Sequence, residues 1–237
     1  MDRITPTTRP DRRAQGFQRW HRLLFSHWEV PEAALRALVP ERLALDAFEG
    51  RYFVGVVSFT MQNVRPMRWA PSIPSASNFG EINLRTYVHL GDSEPGVYFF
   101  SLDAASALVV WAARAFWGLP YHRANITIED SQPDVSYQCQ RGSLTFAAQA
   151  RVGAALSAAA PDSLEYFLCE RYQFYAEHRS RLMRARVHHA PYPLHRVEHS
   201  TVQSSLLTAA GLPDTGQRTA DLFSPGVDVD VFSLEHI

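Results

Sequence analysis

Between Glu81 and Leu90 the chain alternates residue by residue. Glu81, Asn83, Arg85, Tyr87 and His89 share one parity, and Ile82, Leu84, Thr86, Val88 and Leu90 the other. Successive side chains of a strand point to opposite faces, so this is a strand with one polar and one apolar face. Further β-forming runs occupy 20–30, 43–61, 96–102, 123–129, 135–141, 144–152, 182–189, 194–202 and 227–232. Such a chain folds as a mainly β (α+β) domain, an antiparallel barrel or sandwich with a few packed helices.

Turn and helix signals divide the strands. Phe48-Glu49-Gly50-Arg51 predicts the turn of a hairpin within 43–61. The runs at 123–129, 135–141 and 144–152 predict an antiparallel meander, and 182–189 with 194–202 a final strand pair around Pro191-Tyr192-Pro193. Helices are expected over 31–39, 103–117 and 161–178. The second has Ser101 or Asp103 as its cap, stops at Gly118 and Pro120, and is apolar enough inside to be buried. The third opens on a capping box at 161–165 and carries the stripe Leu164, Phe167, Leu168, Tyr172 and Tyr175. Residues 64–77 hold three prolines and read as a long loop of the kind that forms lids or mouths. Residues 1–16 read as a mobile arm, and 17–237 as a single domain; beyond 202 only 227–232 looks like strand.

The 23 basic residues are all arginine; the chain contains no lysine. An amine is what forms an imine with a carbonyl, and a permanently protonated guanidinium cannot replace it, so side-chain Schiff-base chemistry is excluded. The formal net charge is −1 with basic residues scattered, which argues against nucleic acid. No run approaches the length of a membrane span and no signal segment opens the chain, so the expectation is a cytoplasmic protein with no membrane partner. Cys139 and Cys169 belong to no metal or redox motif and read as reduced thiols. His195 and His199 stand four apart, but on a strand that separates them by about 13 Å; with His188-His189 they give no metal site. No phosphate-binding glycine loop or serine elbow occurs, and no cofactor is expected.

The polar face of 81–90 is the remaining source of chemistry. Turned into a barrel, it offers Glu81 as acid or base, Asn83 as an amide, and Arg85 as a clamp for a carboxylate or oxyanion. Turned outward, it is an ordinary solvated face.

The run from Trp111 to Ala124 resembles the acetoacetate decarboxylase signature through Arg114, Trp117, Gly118, Pro120 and Ala124. Leu38-Val39-Pro40-Glu41-Arg42-Leu43 and Asn78-Phe79-Gly80-Glu81 resemble two further segments of that superfamily. The nearer resemblance is to its YqjF-like family of uncharacterised proteins, through His27-Trp28, Glu81 to Val88, Val97 to Asp103 and Leu119-Pro120-Tyr121, over roughly residues 20–200. The resemblance implies a cone-like, mainly antiparallel barrel with a pocket and a homo-oligomeric assembly. The segments around Trp69 and Tyr192 are candidate contact surfaces and, equally, candidate core. It also implies that Tyr121 and His122 stand where the decarboxylases carry two lysines, while the catalytic glutamate is kept as Glu81. Tyr121 would then donate to a carbonyl or enolate oxygen. Asn83, Phe100, His122 and Arg123 complete the expected lining, although strand parity turns Arg123 toward the cavity and His122 away.

Three functions are compatible with these residues. One is an acid/base enzyme for a carbonyl, carboxylate or aromatic metabolite, and another a non-catalytic ligand-binding or sensing module. The third is a structural barrel held by a network of Glu81, Arg85 and Asp103.

Overall fold

The computed structural model describes residues 1–91, 94–178, 181–213 and 218–237. Among these, strands β1–β14 form one extensively paired sheet whose path closes on itself. β1 (Gly16–Val30) lies between β3 (Tyr52–Arg65) and β13 (Arg218–Val231); β3 is followed by β4 (Phe79–Leu90) and β5 (Glu94–Ala104). β5 takes β10 (Gln173–His178) alongside in parallel, and β10 pairs antiparallel with β11 (Arg181–His188). β11 then reaches β13 through Val187↔Val231 and His188↔Asp230, completing a ring of seven strands.

From β13 the sheet also continues outward through β12 (His195–Ser204), β9 (Leu144–Ala155), β8 (Asp134–Arg141) and β7 (Asn125–Ser131). The antiparallel order β7-β8-β9 is the expected meander. It lies across the outside of the ring, so Leu24, Val54, Val56, Ile82 and Leu84 pack against Tyr137, Phe146 and Ala148. The opposite parity of the same ring strands fills the interior with Leu23, Phe25, Val57, Phe59, Leu102 and Val229. β1, β3 and β4 thus separate two cores. Each fully buried Leu or Phe contributes about 1.5–3 kcal/mol. This arrangement removes the solvated-face option for β4, because every residue from Glu81 to Val88 is buried.

Several expected boundaries change. The turn at 48–51 forms, with Glu49 and Gly50 both at positive φ. However, the residues before it make β2 (Ala44–Leu45), which pairs with the far end of β4 and not with β3. The helix expected over 31–39 is confined to α1 (Glu32–Arg36). The one expected over 103–117 starts late because Asp103 and Ala104 are still paired to β4. Its helical part is α2 (Ala107–Ala112), capped by Ser106, followed by a π turn over Ala113–Trp117. Nor is it buried: Val110 and Ala113 face the core, while Leu108, Trp111 and Trp117 are exposed.

The third expected helix is cut to α3 (Leu164–Cys169), where Ser163 Oγ accepts from the Tyr166 amide. Its second half is β10. Gly96 makes this possible, since a Cβ there would lie 2.8 Å from the Gln173 carbonyl oxygen on the neighbouring strand. β11 and β12 do not pair with each other, contrary to the expected final pair. The loop expected after 202 contains the 14-residue β13; residues 214–217 lie outside the described residues. Two short strands complete the set: β6 (Tyr121–Arg123), parallel beside β5, and β14 (Glu235–His236) on β11.

The segment before β1 is held at several points. Arg3 bonds Asp46 at 2.5 Å, Pro6 and Ala14 are buried, and Arg9 and Arg12 reach Asp230 and Glu235. Cys139 and Cys169 are buried and unbridged. No helix among the described residues is long and apolar enough to cross a membrane.

Candidate functional site inside the strand ring

β4 is the source of the interior polar groups. Its register sets Glu81 opposite Phe59, Asn83 opposite Val57 and Arg85 opposite Gly55, so these side chains share the inner face with Tyr87. Tyr121, at the start of β6, lies beside Leu102 of β5, the strand next to β4. Its hydroxyl donates to Glu81 Oε2 at 2.8 Å.

Glu81 is 2 % exposed, and burial pushes its pKa up to about 7, with the nearby Asp103 adding in the same direction. The bonds from Tyr121 and Asn83 oppose that rise. Burial and the neighbouring carboxylate together push the Tyr121 phenol well above its ordinary value. Near neutral pH the pair therefore holds a phenol that keeps its proton and a carboxyl balanced between its two forms.

Arg85 is 8 % exposed, and its Nη2 donates to the Leu168 carbonyl at 3.1 Å. The guanidinium lies 5.9 Å from the ring centroids of Phe25 and Tyr87. Among the described residues no carboxylate pairs with it, and neither Arg85 Nε nor Asn83 Oδ1 has a hydrogen-bond partner. Isolated buried charge is costly unless something compensates it.

Tyr87 Oη donates to the Leu168 carbonyl and accepts from His27 Nε2, each at 2.8 Å. The His27 ring crosses over Gly55, where a Cβ would meet it at 2.9 Å. Behind Tyr87 the charges are paired: Arg171 Nη1 bonds Asp46 Oδ2 at 2.7 Å, and Arg3 takes the other carboxylate oxygen at 2.5 Å.

The structure thus brings Glu81, Tyr121, Asn83 and Arg85 to one interior face. It does not bring the other three expected residues there. Phe100 is the extra residue of a bulge between Leu84 and Arg85, packing against Tyr98 at 5.7 Å and into the cores outside the ring. His122 is half-buried on the outer face, where burial and then Arg141 and Arg114 lower its pKa. Arg123 has the interior parity but lies beyond the ring and is exposed. Asp103 does not join Arg85 either. It sits on the outer face with Arg141 Nε at 3.0 Å, its pKa pushed up to about 6 by burial against the opposing pull of that arginine.

Tyr192, open between contact surface and core in the sequence, is core: it is 5 % exposed and meets the Phe25 ring at 5.2 Å inside the ring. Glu170 and Tyr172 stand outside the expected lining, Tyr172 belonging to the expected helical stripe, and His189 enters the sequence only as a candidate metal ligand. Tyr172 Oη donates to Glu170 Oε2 at 2.6 Å, and its ring stacks on His189 at 4.4 Å. Two histidines and a tyrosine around Pro191 and Pro193 were the available signal.

A family model described as an uncharacterized conserved protein, DUF2071, matches residues 17–228. The uncharacterized protein YqjF of Bacillus subtilis is 39% identical over 198 residues, covering 82% of this chain and 81% of that one. Among solved structures, acetoacetate decarboxylase from Legionella pneumophila superposes with a TM-score of 0.70 at 12% identity, covering 98% of this chain and 94% of that one. The enduracididine biosynthesis enzyme MppR, complexed with pyruvate, gives 0.66 at 10% identity, covering 95% and 91%. These likenesses carry the fold.

Proposed function

The chain belongs to the DUF2071 family and has the acetoacetate decarboxylase-like fold, and from that premise we propose that it binds a small carbonyl or carboxylate metabolite and catalyses an acid/base step on it. The observation that carries this reading is the buried 2.8 Å bond from Tyr121 to Glu81. Glu81, near the midpoint of its titration at neutral pH, exchanges a proton with the bound molecule. Tyr121 donates to the oxygen on which charge develops, and Arg85 takes the carboxylate. No covalent imine is part of the step, because the chain has no lysine to form one. Two fold neighbours, an acetoacetate decarboxylase and an enzyme complexed with pyruvate, support the same substrate class.

The reading takes 17–237 as one domain with a small-molecule partner, acting in the cytoplasm as a homo-oligomer. Exposed Trp69, Trp111 and Trp117 are surfaces suited to such assembly.

Native mass spectrometry of the chain purified from its host, followed by turnover assays on a keto-acid and aromatic-acid panel, tests the reading. Wild type should retain or turn over a member of the panel. Glu81→Gln should bind it without turnover, and Tyr121→Phe should lose about 10²–10³ in kcat. Binding without turnover in wild type makes the protein a sensing module instead, and an empty wild type that ignores the panel makes the interior purely structural.

A further inference from the structure

The proposed step leaves the proline-containing segment after β3 unused, and the start of that segment borders a cleft. Phe17 and Arg19 of β1, Asn63 and Arg65 of β3, and Arg68 just beyond it line an open space of about 380 Å³. Phe17 pairs with Arg65 and Arg19 with Gln62, so between these pairs β3 carries one residue more than β1. The bulge is where Asn63 takes a φ of 50°, a left-handed conformation that asparagine tolerates better than most residues. Beyond β3 the Arg68 amide donates to the Gln15 carbonyl at 2.8 Å, which ties the segment back beside the start of β1.

Charge around the cleft is unbalanced. Asp228 matches Arg19, accepting at 2.6 and 3.2 Å. Asp230 is shared between Arg68 and Arg9, which reaches in from the segment before β1. Half-buried Arg65 meets no carboxylate among the described residues: its Nε donates to Asn63 Oδ1 at 3.2 Å, and both Nη groups are left over. Arginine therefore exceeds aspartate by two charges here. The Arg65 and Arg68 guanidiniums each lie 5.6 Å from the Phe17 ring centroid, which gives both a preferred seat before any ligand arrives.

We infer that this cleft binds the phosphate group of a small phosphomonoester, with Arg65 as its anchor and Arg68 and Arg19 on its flanks. A guanidinium fork matches phosphate oxygens in geometry, and Arg65 keeps its two Nη groups for that purpose. A phosphomonoester carries about two negative charges at neutral pH, the amount the cleft lacks, whereas a carboxylate or a phosphodiester carries about one. The site does not depend on the acid/base reading of Glu81 and Tyr121.

The test is calorimetric titration of the full chain at low ionic strength with glycerol 3-phosphate and dimethyl phosphate. The monoester should bind about 10-fold or more tightly than the diester, and added salt should weaken it. Arg65→Gln should lose about 10-fold of that affinity, and Arg65→Lys, which keeps the charge without the fork, should recover only part of it. Arg151→Gln, which alters an exposed arginine paired to Asp134 on the meander, should lose none. In wild type, ¹H–¹⁵N spectra should show the Nε–H resonance of Arg65 shifting during the titration, a readout that needs no variant to fold. Cosedimentation with phosphatidate-containing vesicles separates a lipid headgroup from a free ester, since both present the same phosphate. Vesicle binding without binding of glycerol 3-phosphate overturns the small-molecule assignment. So do equal affinities for monoester and diester, an affinity unchanged in Arg65→Gln, or an unmoved Arg65 resonance.

Discussion

Two regions of the ring interior handle charge in opposite ways. At one, Arg171 and Arg3 bracket Asp46, with Arg171 a further 4.3 Å from the Phe167 ring. At the other, Arg85 and Glu81 stand on the same strand face, neither with an opposite charge in contact among the described residues. Tyr87 separates the two arginines, its ring 5.0 Å from Arg171 and 5.9 Å from Arg85. One arginine is neutralised and structural. The other is held ready for an anion, at a cost in stability to the protein.

Substitutions at each region separate the two roles. Arg171→Met removes the fully buried partner of Asp46 and should cost about 3–5 kcal/mol in urea unfolding. A loss much below that would mean that Arg3 alone suffices and the pairing is not structural.

Glu81→Gln probes the unpaired region through pH. Folding raises the Glu81 pKa from 4.5 to about 7, so the folded form holds a proton that the unfolded chain has released. The stability this gives is fully present below pH 4.5 and is lost as pH rises through 7. The neutral amide does not titrate. The variant should therefore match wild type near pH 4.5 and exceed it by up to about 3 kcal/mol at pH 8. A gap independent of pH would mean that Glu81 is not the titrating group.

Tyr121→Phe deletes one donor to that carboxyl and should cost about 1–2 kcal/mol, more at pH 8 than at pH 5, because the bond is stronger to the ionised form. Arg85→Met should change stability least, within about 1 kcal/mol and in either direction. The Leu168 carbonyl keeps its bond from Tyr87, and an uncompensated charge is removed. A loss comparable to that of Arg171→Met would erase the distinction between the two regions.

The sequence made some of this legible and hid the rest for identifiable reasons. Alternation in Glu81 to Leu90 and in the 123–152 meander marked strands correctly, because period two is a local property of the chain. It said only that the faces of β4 differ, not that both are buried; that depends on β7-β8-β9 folding over the ring, contacts more than 40 residues away in the chain. The stripe Leu164 to Tyr175 satisfied a helical period, yet Phe174 and Tyr175 are β-formers, and a parallel berth beside Gly96 drew them into β10. Asp103 read as a helix cap because its pairing to Ile82 was invisible locally. Glu81, Asn83, Arg85 and Tyr121 came together as strand parity and the family resemblance implied, whereas Phe100 was displaced by a one-residue bulge that no pattern announced. His189 closed the run read as a strand at 182–189 and Tyr192 lay between two prolines, where no period extends.

The ring closes through two residue pairs between β11 and β13, against the long register that joins β13 to β1. It is therefore a bracelet with a short clasp, and His189 is the residue immediately after the catch. This clasp and the equally short β5–β10 pairing should release before the long pairings, so the Phe232 amide, which donates to the Arg186 carbonyl across the clasp, should exchange with solvent ahead of the amides along β1.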